Sequence, residues 1–103
     1  MVLEINNENI NDVLNEKLTV LQFSANWCGP CKALTPRVVE IAEANSDITI
    51  GKVDVESNGE LANRFKVKSI PVMVYFKDGV EVNRVIGATS VTELQSQVDN
   101  LKN

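Results

Sequence analysis

The only two cysteines of the chain, Cys28 and Cys31, lie three positions apart in the stretch NWCGPCKALTP (26–36), with Gly29 and Pro30 between them. Thiols at this spacing serve three chemistries: a metal site, a structural crosslink or reversible dithiol–disulfide exchange. A structural zinc ion takes four Cys or His ligands. The chain offers two cysteines and no histidine, so zinc would need a second chain or carboxylates to complete the site. A crosslink closing a four-residue loop contributes only about 2 kcal/mol by chain-entropy bookkeeping, the weak end of what disulfides give. The absence of other cysteines also fits a reducing compartment, where permanent disulfides are rare.

Redox exchange accounts for the spacing and the location together. An amphipathic stripe of Leu34, Val38, Ile41 and Ala42 predicts a helix starting near Cys28. Cys28 then lies at the helix N-terminus, where unpaired N–H groups and the positive end of the dipole favour a thiolate. Pro30 suits the first turn, because its missing N–H has no partner there in any case. One turn on, Cys31 is near enough to bond Cys28 while its side chain points toward the protein. Cys28 attacks a disulfide, and Cys31 resolves the mixed disulfide by attacking Cys28.

The elements that must hold this turn are legible from periodicity. Met1 to Ile5 is a candidate edge strand. Ile10, Val13, Leu14 and Leu18 recur at helical spacing, predicting a helix near 8–16 with Asn6 or Asn7 as N-cap. LTVLQFSA (18–25) and ITIGKVDV (48–55) read as buried strands. Pro36 falls inside the helix that follows Cys28 and should kink it, by removing a bond to the carbonyl of Lys32 and clashing with it. Leu61 and Phe65 mark a short helix near 58–65. VMVYFK and VEVNRVIG flank Asp78-Gly79, a strong hairpin signal, and Val91, Leu94, Val98 and Leu101 mark a closing helix. The predicted order is β-α-β-α-β-α-β-β-α: an α/β fold with a mixed, roughly five-stranded sheet flanked by four helices.

At 103 residues a single domain spanning 1–103 is expected. The chain is 44% apolar and 23% charged, an ordinary soluble composition. Its 10 basic and 14 acidic residues give net charge −4, which argues against a nucleic-acid partner. No apolar run approaches the ~20 residues of a membrane span. MVLEINNENI has neither a basic n-region nor an apolar segment, so a cytoplasmic address is expected.

WCGPCK followed by Pro36 resembles the active-site signature of thioredoxins, the standing example of a C-x-x-C motif beside a βαβ pattern. KSIPVMVYF (68–76) resembles their cis-proline segment, and KDG (77–79) with Gly87 their hairpin and the glycine after it. The likeness runs without gaps from about 18 to 101. It implies the thioredoxin fold and a protein-disulfide reductase recycled by an NADPH-dependent, flavin-containing thioredoxin reductase. It implies no bound cofactor and no metal, because the electrons reside in the Cys28–Cys31 disulfide. By the same likeness Cys28 is the exposed nucleophile and Cys31 the resolving thiol. Trp27 forms a shelf beside them or, on the plainer reading, a core aromatic. Pro71 is cis, and Ile70 offers its backbone to an extended substrate. Gly29, Pro30, Ile70 and Gly87 make a small apolar docking surface for disulfide-containing proteins, and a monomer is expected.

Two positions depart from the family pattern. The buried aspartate usual in the second strand is Gln22 here, although its usual lysine partner is present as Lys52. Glutamine has no protonation state with which to accept the proton of the resolving cysteine. Gln22 is then either a satisfied buried amide with no special role, or a sign that Cys31 loses its proton through water, Lys52 or a nearby carboxylate, with slower resolution than in aspartate-bearing relatives. Ser24 stands where many members have tryptophan. These departures keep two rivals in view: an oxidant, isomerase or extracytoplasmic reductase on the same fold, and a redox-independent scaffold.

Overall fold

A computed structural model describes residues 1–103 and contains nine elements. They are β1 (Val2–Glu4), α1 (Ile10–Leu14), β2 (Leu18–Ser24), α2 (Gly29–Ala44), β3 (Thr49–Asp54), α3 (Gly59–Arg64), β4 (Val72–Lys77), β5 (Val80–Ile86) and α4 (Val91–Lys102). The strands form one sheet in the order β1-β3-β2-β4-β5. Both β1 and β2 run parallel to β3, while β2–β4 and β4–β5 are antiparallel. The expected mixed sheet and helix count are present.

All seven residues of β2 are buried, since this strand lies at the centre of the sheet with helices on both faces. The period of two sends Leu18 and Val20 into a core with Leu34, Val38 and Ile41 of α2 and Leu94 and Val98 of α4. Leu21 and Phe23 point the other way, into a core with Ile10 and Val13 of α1 and Leu61 of α3. Each fully buried aliphatic side chain of these layers contributes about 1.5–3 kcal/mol. Gln22 and Ser24 continue the α2 face of β2, so two polar residues lie at the end of the strand that leads to the cysteine turn.

Local chemistry adjusted several boundaries. The first helix is shorter than expected, because Asn6 and Asn9 hold residues 6–9 as a turn. The Asn6 side chain accepts from the amides of Glu8 (2.8 Å) and Asn9 (3.0 Å), and Asn9 accepts from the amide of Asn6 (2.8 Å). The expected N-cap role of Asn6 or Asn7 passes to Asn9, which caps with its backbone only. Pro36 lies inside α2, as expected, and the helix runs through it to Ala44. Its ring is exposed, so the carbonyl it leaves without an amide partner lies on the exposed flank of the helix. Asp78 (φ 53°) and Gly79 (φ 80°) both adopt the left-handed conformation of a two-residue hairpin turn. Ser90 caps α4, its hydroxyl accepting from the amide of Glu93 at 3.1 Å.

Candidate active site

The parallel pair β2–β3 ends, at its carboxyl edge, beside the turn that opens α2, a common place for function in α/β sheets. Cys28 is the N-cap of α2, in an extended conformation, with Gly29 and Pro30 forming the first turn. Its Sγ accepts from the amide of Cys31 at 3.2 Å, so one of the helix's free N–H groups is already aimed at this sulfur. The two cysteines form a disulfide, with Cα atoms 5.2 Å apart, inside the usual range for such bonds. No group of three or more His, Cys, Asp or Glu side chains is gathered as a metal site.

Cys28 is less open than the sequence implied: it is 6% exposed against 1% for Cys31. The reason is a small apolar cluster of Ala25, Cys28 and Cys31, against which Val55 and Ile70 pack. Val55 follows β3 and Ala25 follows β2, so neither neighbour is visible from spacing along α2. Their signal lies in the parallel register, which brings the ends of β2 and β3 together.

Trp27 is 68% exposed, which removes the core-aromatic alternative. Gly29 and Pro30 are exposed, and Ile70 and Gly87 are half-buried. The Ile70–Pro71 peptide is cis, and Pro71 is buried. Gly87, at φ 96°, donates its amide to the carbonyl of Pro71 at 2.8 Å, which joins the end of β5 to the start of β4. Ile70 thus touches the cysteine cluster directly, while Gly87 is bonded to Pro71, the residue after it.

Gln22 is fully buried and pairs in register with Lys52 of β3. Its Nε2 donates to the Thr35 hydroxyl of α2 at 3.3 Å, and its Oε1 has no partner. The Thr35 hydroxyl in turn donates to the carbonyl of Cys31 at 3.0 Å. Thr35 was missed from the sequence, although it lies four residues after Cys31 and so on the same helix face. Lys52 is half-buried and joins neither of the chain's ion pairs, Arg84–Glu81 and Lys102–Asp47, so it does not find Asp54 or Glu56. Ser24 is buried, and its hydroxyl also lacks a partner.

A family model described as Thioredoxin matches residues 1–100. A thioredoxin of Mycobacterium bovis is 46% identical over 96 residues, covering 87% of this chain and 83% of that protein. A bifunctional thioredoxin reductase/thioredoxin of Mycobacterium leprae is 43% identical over 96 residues, 87% of this chain and 21% of that protein. Among solved structures, a mutant thioredoxin from Halobacterium salinarum NRC-1 superposes with a TM-score of 0.92 at 31% identity, covering 98% of this chain and 90% of that one. Fold, cysteine pair and sequence likeness converge, and the chain belongs to the thioredoxin family of protein-disulfide oxidoreductases.

Proposed function

We propose that the protein reduces exposed disulfides in other proteins, with Cys28 as nucleophile and Cys31 as resolving thiol. In the reduced protein the Cys28 thiolate attacks one sulfur of the substrate disulfide. A mixed disulfide forms, and the other substrate sulfur leaves as a thiolate. The Cys31 thiolate then attacks Cys28 Sγ, closing the Cys28–Cys31 disulfide and freeing the second substrate sulfur. Two electrons pass to the substrate, which takes up two protons. The observation that carries this assignment is the asymmetry of the pair. Cys28 caps the helix and receives the amide of Cys31, while Cys31 lies deeper, one turn in.

The substrate segment runs extended past Ile70 and Pro71, pairing with the Ile70 backbone, on a surface made with Trp27, Gly29, Pro30 and Gly87. Few side chains fix its identity, which suits a reductase of many proteins. The oxidised protein is recycled by a thioredoxin reductase that uses FAD and NADPH. The joining of a reductase and a thioredoxin in the M. leprae relative supports that partner. The protein itself binds no cofactor, works as a monomer with residues 1–103 as one unit, and acts in the cytoplasm.

The test is reduction of a disulfide-bearing protein such as insulin by dithiothreitol, with and without this chain. Cys28→Ser should abolish the acceleration, and Cys31→Ser should accumulate a mixed disulfide at Cys28 that mass spectrometry detects. Full activity in the Cys28→Ser, Cys31→Ser double variant would instead establish a thiol-independent role.

A further inference from the structure

We propose that Thr35 is a positioning residue for the resolving thiol: its hydroxyl, supplied by Gln22, holds the backbone of the turn that carries Cys31 and so sets how fast Cys31 closes on Cys28. The inference rests on the role of Cys31 proposed above.

The two hydrogen bonds run in one direction, from Gln22 through Thr35 to Cys31. A threonine hydroxyl has one proton, and here it goes to the Cys31 carbonyl at 3.0 Å. Toward Gln22 the hydroxyl can therefore only accept, and it takes the Nε2 proton at 3.3 Å. Gln22 is itself immobile, because β2 is the central strand and the side chain is fully buried. The turn bearing Cys31 is thus tied through Thr35 to the middle of the sheet. A carboxylate at position 22 could not make this link. It only accepts, so Thr35 would have to turn its proton away from Cys31.

Stability does not account for the arrangement. A threonine bonding back to the carbonyl four residues earlier is neutral to slightly unfavourable in a helix. Burying a carboxamide is costly unless it is hydrogen-bonded, and here Thr35 is the one protein partner of the Gln22 side chain. Local rules of this kind are broken where function requires it. The neighbourhood needs a tie for a further reason. Pro36, next to Thr35, has no amide for the carbonyl of Lys32, so the ladder is weakest in the turn that follows Cys31. A link free of titratable groups also holds unchanged across the working pH range.

The experiment uses reduced protein and substoichiometric dithiobis(nitrobenzoate). The Cys28 thiolate takes one half of the reagent and releases the first coloured thiolate. Attack by Cys31 on Cys28 Sγ then closes the disulfide and releases the second, in a step independent of protein concentration. Thr35→Val and Thr35→Ala should slow the second release about three- to tenfold, the usual net worth of one or two hydrogen bonds. The pH profile should keep its shape, lowered by the same factor throughout. Alanine is the stronger helix former, so a slow Ala variant cannot be ascribed to a weakened helix. Thr35→Ser should return the rate to within about twofold of wild type. Wild-type rates in Val and Ala, or a Ser variant as slow as Val, would overturn the proposal. Absence of any concentration-independent second release in the wild type would instead overturn the role of Cys31 itself.

Discussion

Gly87 donates its backbone amide to the carbonyl of Pro71 at 2.8 Å, and it does so at φ 96°, a conformation that side chains resist. The bond fastens the loop after β5 to the residue that precedes β4, beside Ile70 and the cysteine cluster. A Cβ built on Gly87 meets nothing within 4 Å, so a substitution there acts through backbone strain and not through a clash. Gly87→Ala should lower stability by about 1–2 kcal/mol. If substrate docks at Ile70 as proposed, it should also raise KM for a protein disulfide more than it lowers kcat, because that backbone moves while the cysteines stay in place. Thermal unfolding and steady-state insulin reduction check the two effects.

Gln22→Asp should change the pH dependence of resolution. Aspartate is one methylene shorter, so the link to Thr35 is lost, and burial holds the carboxyl above its ordinary pKa of about 3.9. While neutral it neither ties the helix nor accepts a proton, and resolution should run slower than wild type. Once ionised, above pH 7, it accepts the Cys31 proton and resolution should run faster. Single-turnover rates over pH 5–9 should therefore cross those of the wild type. Parallel profiles would show that the residue at this position handles no proton.

Glu81 and Arg84 supply a pH dependence of stability away from the active site. The hydrogen bond from Arg84, at 2.7 Å, holds the Glu81 carboxyl below its ordinary value of 4.5. A depressed carboxyl contributes its stability above the unfolded-state value and loses it as pH falls through the lower, folded value. Arg84 also donates to the carbonyls of Phe65 (2.7 Å) and Lys66 (3.4 Å), so the pair fastens β5 to the end of α3. Glu81→Gln should be less stable than wild type at pH 7, with the difference starting to shrink below about 4.5 and vanishing only once the pH lies below the lowered folded value. Urea titrations at both pH values measure it.

Trp27, the only tryptophan, adjoins Cys28, so its fluorescence should change with the redox state of the pair. Equilibration in graded dithiol buffers, read by its fluorescence, should give a reduction potential near the about −270 mV typical of thioredoxins. A value tens of millivolts higher would mean a destabilised disulfide, and the isomerase or oxidant reading would take precedence.

Much of the architecture was legible in the sequence because the signals were local. The buried runs at 18–25 and 48–55, the Asp78-Gly79 turn and the apolar stripe of α2 each identify an element without reference to the rest. Boundaries slipped where side chains competed with the backbone, as Asn6 and Asn9 do in the turn before α1. The cysteine motif was equally plain, since a C-x-x-C pair at a helix start needs only neighbouring residues to be recognised.

By itself, then, the sequence determined the two thiols, the helix that begins at them, the βαβ order around them and the glutamine in place of an aspartate. Only the tertiary structure decided how buried Cys28 is, because Val55 and Ile70 come from other segments to cover it. Only the tertiary structure decided that Lys52 pairs with no carboxylate and that Gln22 reaches Cys31 through Thr35. Periodicity reports which face a side chain takes. Which partner waits on that face depends on strand register and helix placement, and these are set by packing across the whole sheet.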